Sequence, residues 1–567
     1  MELSLDRPIA GVLVPVFAIR GEGDQGIGDT ESLKEFIDWA AETGFHLVKI
    51  LPINETGGDH SPYNALSSRA LEPTTIRVSP EVLPDLKCVE WQEAITGIDP
   101  EVLNGTTVKY DVVKPLKRRL LEAAFNRFRR NHASARKTAR GTAFTNFLEA
   151  ESGWLGKYTL FRVLFEEHDG RLWTEWPAEQ QSPAAAEAWV HSLPARKAQA
   201  LEKQRQFFAY VQWIAFTQWR AVREYAAKRG VALMGDIPFG VSFQSADVWA
   251  APHYFRTDWC GGTPPDKVFK HDLFVQKWGQ NWGIPLYDWD ALRKDDFAWW
   301  RERVRGVREF FDLFRIDHVL GFYRIYGFPW RPERNEFFLH KSLEEAREHT
   351  ADHELPHFQP RADDTPEHKE QNQREGEEYL RVILEEAGAG RVIGEDLGEV
   401  PDYVRPNLAS LGIAGYKIPQ WEKRENGTLI PGGEYERLSL ATYGTHDHDT
   451  LKAMWEGLVK AAQGADSGGP KWELRILAQY AHVDADHPPQ SFTPELHEKL
   501  LRALFESNSW IAVAMITDVF GRSERFNLPG VAGDVNWTQR LHAPVAELAT
   551  DEMAPRVKQL LKETGRA

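Results

Sequence analysis

Eight short apolar runs recur along this chain, each of the length a buried strand needs, and they restrict its fold more than any other feature. They are GVLVPVF from Gly11, HLVKILPI from His46, VALMGDIPF from Val231, LFRIDHV from Leu313, RVIGEDLG from Arg391, GYKIPQW from Gly415, LATYGTHD from Leu440 and WIAVAMITDVFG from Trp510. The first leads into GIGDTESLKEFIDWAAETG. There Asp29 or Thr30 can cap a helix whose apolar face holds Leu33, Phe36, Ile37 and Ala40, and Gly44 can end it. Strand, capped helix, glycine and strand make one βα unit. Eight parallel strands suit a closed barrel. An open doubly wound sheet usually has fewer, and it carries a phosphate loop between strand and helix. No GxxxxGK with Ser or Thr stands in that position, and the strand count favours the barrel.

The expected fold is therefore α/β: a (β/α)8 barrel with large, mainly helical insertions after the second strand and loop insertions after the third and fourth strands. Residues 1–78 hold the first two βα units. Residues 79–205 are a mainly helical insertion, with helices expected at Val112 to Arg130 and Glu187 to Phe207. Residues 206–248 carry the third strand. Residues 249–299, rich in Gly, Pro, Trp and Asp, form a loop insertion of the kind that makes lids and binding elements. Residues 300–567 complete the barrel and include a polar loop at about 331–374, with the composition of a surface segment.

With 68 Lys and Arg against 84 Asp and Glu the net charge is −16, a field that repels nucleic acid and anionic membrane and is indifferent to a neutral polymer. The one basic run, about Lys117 to Arg140, has the spacing of an exposed helix, so a solvated face is expected there. Two widely separated cysteines, Cys88 and Cys260, exclude a disulfide framework and point to a reducing compartment. The apolar stretch Ile9 to Ile19 contains Pro15 and follows Glu2 and Asp6, so it reads as a strand and not as a signal peptide. No run approaches a membrane span, and a cytoplasmic location is expected. The 21 tryptophans are either aromatic core or platforms for the apolar face of a pyranose; composition leaves both open.

Three of the apolar runs end on a carboxylate: Asp317 in FRIDHVLGF, Glu395 in VIGEDLGE and Asp447 in YGTHDHDT. Strand ends are where a barrel gathers its reactive groups. Two carboxyls, with a third nearby, are what retaining cleavage of a glycosidic bond requires. Arg315 lies two residues before Asp317 and on a strand would share its face, lowering the acid's pKa; a structural Arg–Asp pair is equally compatible. Glu395 opens a run with Asp396, Glu399 and Asp402, and such a cluster is commonly a solvated loop. At the end of an apolar strand, however, burial and like charge would raise one carboxyl, as a general acid needs. His446, Asp447, His448 and Asp449 are compatible with zinc, but strand alternation would split them between two faces, which favours hydrogen bonding to sugar hydroxyls. Asp236 ends the third strand, Tyr63 follows Pro62 past the second, and Asp266, Gln280 and Trp282 lie on the 249–299 insertion.

The order GIGD, SPY, GDIP, PPD with GQNWG, FRIDH, GEDLG and GTHD resembles the 4-α-glucanotransferases (amylomaltases or disproportionating enzymes) of glycoside hydrolase family 77, from about Gly11 to the NLPG segment at Asn527. The resemblance implies transfer of α-1,4-glucan segments between malto-oligosaccharides, with no required metal or organic cofactor. It implies that Asp317 is the nucleophile, Glu395 the general acid/base and Asp447 the stabiliser of the transition state. Arg315, His446 and Asp236 then surround the same sugar, while Tyr63, Asp266, Gln280 and Trp282 line the glucan groove. The expected separation of the Asp317 and Glu395 carboxyls is about 5–5.5 Å. Three departures from the bacterial pattern stand out: His448 in place of asparagine, Asn64 in place of glutamine, and a longer stretch between Asp266 and Gly279. An α-amylase-type glucan hydrolase and a non-catalytic glucan-binding barrel are the alternatives, and protein partners are unknown.

Overall fold

The computed structural model describes residues 3–132, 138–266, 272–464, 467–529, 531, 533 and 535–567. Its strands, in chain order, are β1 (Ile9–Leu13), β2 (Leu47–Lys49), β3 (Ala232–Ile237), β4 (Phe255–Thr263), β5 (Gln280–Tyr287), β6 (Leu313–Ile316), β7 (Ile325–Phe328), β8 (His357–Gln359), β9 (Val392–Gly394), β10 (Gly415–Lys417), β11 (Ser439–Ala441) and β12 (Ile511–Met515). Eight of them form one parallel sheet in the order β10-β11-β12-β1-β2-β3-β6-β9, and these are the eight apolar runs of the sequence. A single parallel bridge, Ile393 with Ala414, joins the sheet's two ends, and the Gly394 N–H donates to the Ala414 carbonyl at 2.9 Å. The sheet is thereby a closed barrel.

Alternation along the strands divides their side chains between two cores. Leu13, Leu47, Met234, Leu313, Ile393 and Leu440 belong to one buried cluster that fills the barrel. Val12, Val48, Leu233 and Phe314 belong to the larger cluster shared with the surrounding helices. Apolar partners on both faces are why these strands read as unbroken hydrophobic runs. Towards the C-terminal strand ends the interior face turns polar, with Lys49, Asp236 and Arg315 all buried. The helix Thr30–Thr43 is capped by Asp29, whose carboxylate accepts from the Glu31 and Ser32 N–H groups, and it ends at Gly44 in the left-handed region.

The stretch 79–205 is helical for most of its length. The helix expected from Glu187 to Phe207 is two, Pro183–Ser192 and Ala195–Lys228. Leu193, held extended ahead of Pro194, breaks it, because a residue preceding proline is steered away from the helical region. The basic run falls on Tyr110–His132 and the start of Ala139–Ala150, with 133–137 outside the described residues. Lys117 is not on a solvated face: it is buried, and its ammonium donates to the Thr74 and Ile76 carbonyls.

The insertions after the third and fourth barrel strands hold more regular structure than their composition suggested. β4 pairs antiparallel with β5 and β7, and β7 with β8, giving a second, four-stranded sheet. Glycine permits the closest approaches in its hairpin. A Cβ at Gly262 would lie 1.8 Å from the Gln280 carbonyl oxygen, and one at Gly279, where φ is 99°, would lie 1.9 Å from that of Thr263. The polar stretch 331–374 carries the short helices Asn335–Leu339 and Leu343–Glu348, then β8 and the start of the helix Pro366–Ala387. Among the described residues no helix is long and apolar enough to cross a membrane.

Candidate active site

Arg315, on the interior face of β6, is the hub of a buried ionic cluster. Its Nη1 donates to both oxygens of Asp236, at 2.9 and 2.8 Å, and Asp236 is the penultimate residue of neighbouring β3. Its Nη2 lies 2.6 Å from Asp317 Oδ1 and 3.8 Å from Glu395 Oε2. Those two oxygens can be no farther apart than the sum of these distances, so one guanidinium nitrogen brings the two carboxyls close together. Barrel register explains the convergence. Asp236 is paired with Arg315, and Arg315 with Ile393, so Asp317 and Glu395 emerge side by side two residues further on.

The carboxyls differ in their surroundings. Glu395 has 12% of its side chain exposed, and burial raises its pKa to about 8 against the pull of Arg315, with the Asp317 charge adding to the rise. Its Oε2 accepts the His318 N–H at 2.8 Å and its Oε1 the Leu397 N–H at 3.2 Å. Burial also raises Asp317, outweighing Arg315, so the arginine does not hold this acid low as its position in the sequence suggested. With 30% of its side chain exposed, against 12% for Glu395, Asp317 has more solvent to soften that rise. Of the other acids in the run, Asp396 turns away to accept from Arg405 and the Tyr416 N–H, while Glu399 and Asp402 are exposed.

Asp447 behaves oppositely. Burial would raise it, but His446 at 3.1 Å, the Asn527 amide donating at 2.6 Å and Arg315 together hold it well below the usual carboxylate range. The ring of His446 stacks on Tyr63, with centroids 4.9 Å apart, and the Tyr63 hydroxyl donates to Asp236 at 2.9 Å. His448 and Asp449 are engaged elsewhere, with Thr445 and Arg525, and no described group of three or more His, Cys, Asp or Glu side chains could hold a metal ion.

These contacts join Asp317, Glu395, Asp447, Arg315, Asp236, Tyr63 and His446 into one cluster. Trp282, on β5, is 38% exposed and meets the His318 ring edge-on at 4.9 Å, and its indole N–H donates to Gln280 Oε1. Asp266 lies three residues past Thr263, the ladder partner of Gln280, and its N–H donates to the Val275 carbonyl at 3.3 Å. Residues 267–271 of the lengthened stretch lie outside the described residues. Sequence reading missed two contributors. Asn527 lies 80 residues from its partner Asp447, and its NLPG segment marked the end of the resemblance without indicating that contact. His318 adopts φ 49° and ψ 55°, and this left-handed turn presents its N–H to Glu395; a non-glycine residue gives no advance sign of such a conformation.

The family model described as 4-alpha-glucanotransferase matches residues 14–546. The chain belongs to that family. It is thus a glucanotransferase, an enzyme, and its relatives agree. The 4-alpha-glucanotransferase of Chlamydia pneumoniae is 29% identical over 556 residues, covering 96% of this chain and 93% of the relative. That of Chlamydia caviae is 30% identical over 565 residues, with the same coverage of 96% and 93%. Among solved structures, the amylomaltase from Streptococcus agalactiae in complex with acarbose superposes with a TM-score of 0.76 at 23% identity, covering 99% of this chain and 100% of that one. That likeness bears on the fold, and the glucanotransferase barrel is shared from end to end.

Proposed function

We propose that this glucanotransferase moves α-1,4-glucan segments by retaining double displacement, with Asp317 as nucleophile, Glu395 as general acid and base, and Asp447 bound to sugar hydroxyls. The observation that carries the reading is the single Arg315 nitrogen facing two close carboxyls, of which Glu395 is the more buried and has its pKa raised to about 8. In the first step an Asp317 oxygen attacks the anomeric carbon while Glu395 gives its proton to the departing glycosidic oxygen. A glucosyl ester on Asp317 and a Glu395 carboxylate result. In the second step Glu395 takes the proton of an acceptor 4-hydroxyl, whose oxygen displaces Asp317 and restores the α-configuration. Asp236, Arg315, His446 and Tyr63 would hold the sugar at the reacting bond, and Asp266, Gln280 and Trp282 the glucan beyond it. A bound acceptor makes its attack effectively intramolecular, which favours transfer over water. The Streptococcus agalactiae amylomaltase in complex with acarbose agrees with an α-glucan as occupant.

Incubation with maltotriose tests this. The expected product is a ladder of longer and shorter glucans with little net gain in reducing ends; steady release of reducing ends would indicate a hydrolase, and an unchanged sample a binding protein. Asp317→Asn should keep the wild-type melting curve and lose transfer by about 10⁴-fold or more. Substantial transfer by that variant would refute the nucleophile.

A further inference from the structure

Lys49 ends β2 on the interior face of the barrel, 2% exposed, level with Leu13 and Met234 on the adjoining strands. Its ammonium donates to the Tyr416 hydroxyl at 2.6 Å and lies 5.3 Å from that ring's centre. β2 and β10 stand four strands apart in both directions around the closed sheet, so the pair spans the barrel's full width beneath the acid cluster. A lysine this deep is costly unless neighbouring charge compensates it. The charged groups around it are Arg315, Asp236, Glu395 and Asp317. Burial, with Arg315, lowers its pKa, while the three acids act to keep it protonated.

The charges suggest why a cation is retained there, an inference that rests on the double-displacement reading. Asp447 draws chiefly on His446 and Asn527, with a smaller pull from Arg315. Before attack, with Glu395 protonated, Asp236 and Asp317 are negative and Arg315 supplies one positive charge. In the glucosyl ester Asp317 is neutral and Glu395 negative, so two negative charges again face Arg315. A protonated Lys49 balances both states. We infer that Lys49, held by Tyr416, is a positioning residue for the reaction: its ammonium is the second buried cation that tunes how tightly Glu395 holds the transferred proton.

The experiment compares the pH profile of maltotriose disproportionation for wild type, Lys49→Met, Lys49→Gln and Tyr416→Phe, each checked for its melting curve. Without the cation Glu395 holds its proton more tightly. The alkaline limb of kcat/KM should therefore move up by about half to one pH unit in both lysine variants, corresponding to a three- to tenfold tighter proton. The second step needs the Glu395 carboxylate, so kcat at neutral pH should fall. Tyr416→Phe removes only the acceptor that steadies the ammonium, and should move the limb in the same direction by less. It also keeps the test open if a lysine variant does not fold. Limbs that superpose on wild type in every folded variant, with or without a lowered melting temperature, overturn the inference. Failure of the underlying mechanism looks different: wild type makes no ladder, or Asp317→Asn retains transfer.

Discussion

Glu395 and Asp447 are carboxylates of one cluster, yet their surroundings drive them in opposite directions. Glu395 has a backbone N–H on each oxygen, but burial dominates and holds its proton up to about pH 8. Asp447 has His446 and the Asn527 amide within hydrogen-bonding reach and stays ionised. Such a split is how one site obtains an acid and a permanent anion from the same chemistry. The sign for activity follows. In the proposed mechanism the acid form of Glu395 is required for the first step, and it is populated below its pKa. Transfer measured as kcat/KM should be sustained through neutral pH and fall as pH rises through about 8; a limb near the ordinary glutamate value would contradict the assignment. At this scale much of the site was legible, because Arg315, Asp317, Glu395 and Asp447 sit at the ends of recognisable strand runs. His318 was not, since its part is played by a backbone angle, nor Asn527, which reaches Asp447 only through the fold.

Elements built from contiguous residues were readable, and those assembled from distant pieces were not. The helix after β1 announces its cap, its face and its terminating glycine within 16 residues of sequence, Asp29 to Gly44. The second sheet does no such thing. Its strands come from two insertions separated by β6, and glycines that look like loop punctuation, such as Gly262 and Gly279, sit where the hairpin backbones approach closely. Gly279 is the sharpest case. Gly279→Ala combines a positive φ with a carbonyl where the methyl would go, so it should destabilise the protein by about 1–3 kcal/mol in thermal or denaturant unfolding. Because Gln280 and Trp282 follow directly on β5, the variant should also raise KM for maltotriose more than it lowers kcat. An unaltered KM would detach this hairpin from glucan binding.

For the molecule as a whole, the eight apolar runs were enough to anticipate a barrel, since strands buried on both faces and followed by helices have few other ways to pack. What the runs did not disclose is how unevenly the barrel is sewn together. β1 and β12 pair over five residues each, Ile9–Leu13 with Ile511–Met515, whereas β9 and β10 meet through the one bridge at Ile393 and Ala414. Glu395 follows the last residue of β9 at that junction. The proposed proton carrier is therefore mounted beside the seam with the fewest backbone ties, where the barrel should breathe most readily. Amide hydrogen exchange would register this as faster deuteration at Gly394 than at Val12 or Val513, and slower deuteration at Gly394 once a glucan occupies the groove and braces the two strands. Equal protection around the whole barrel would mean that packing, and not backbone pairing, holds the seam shut.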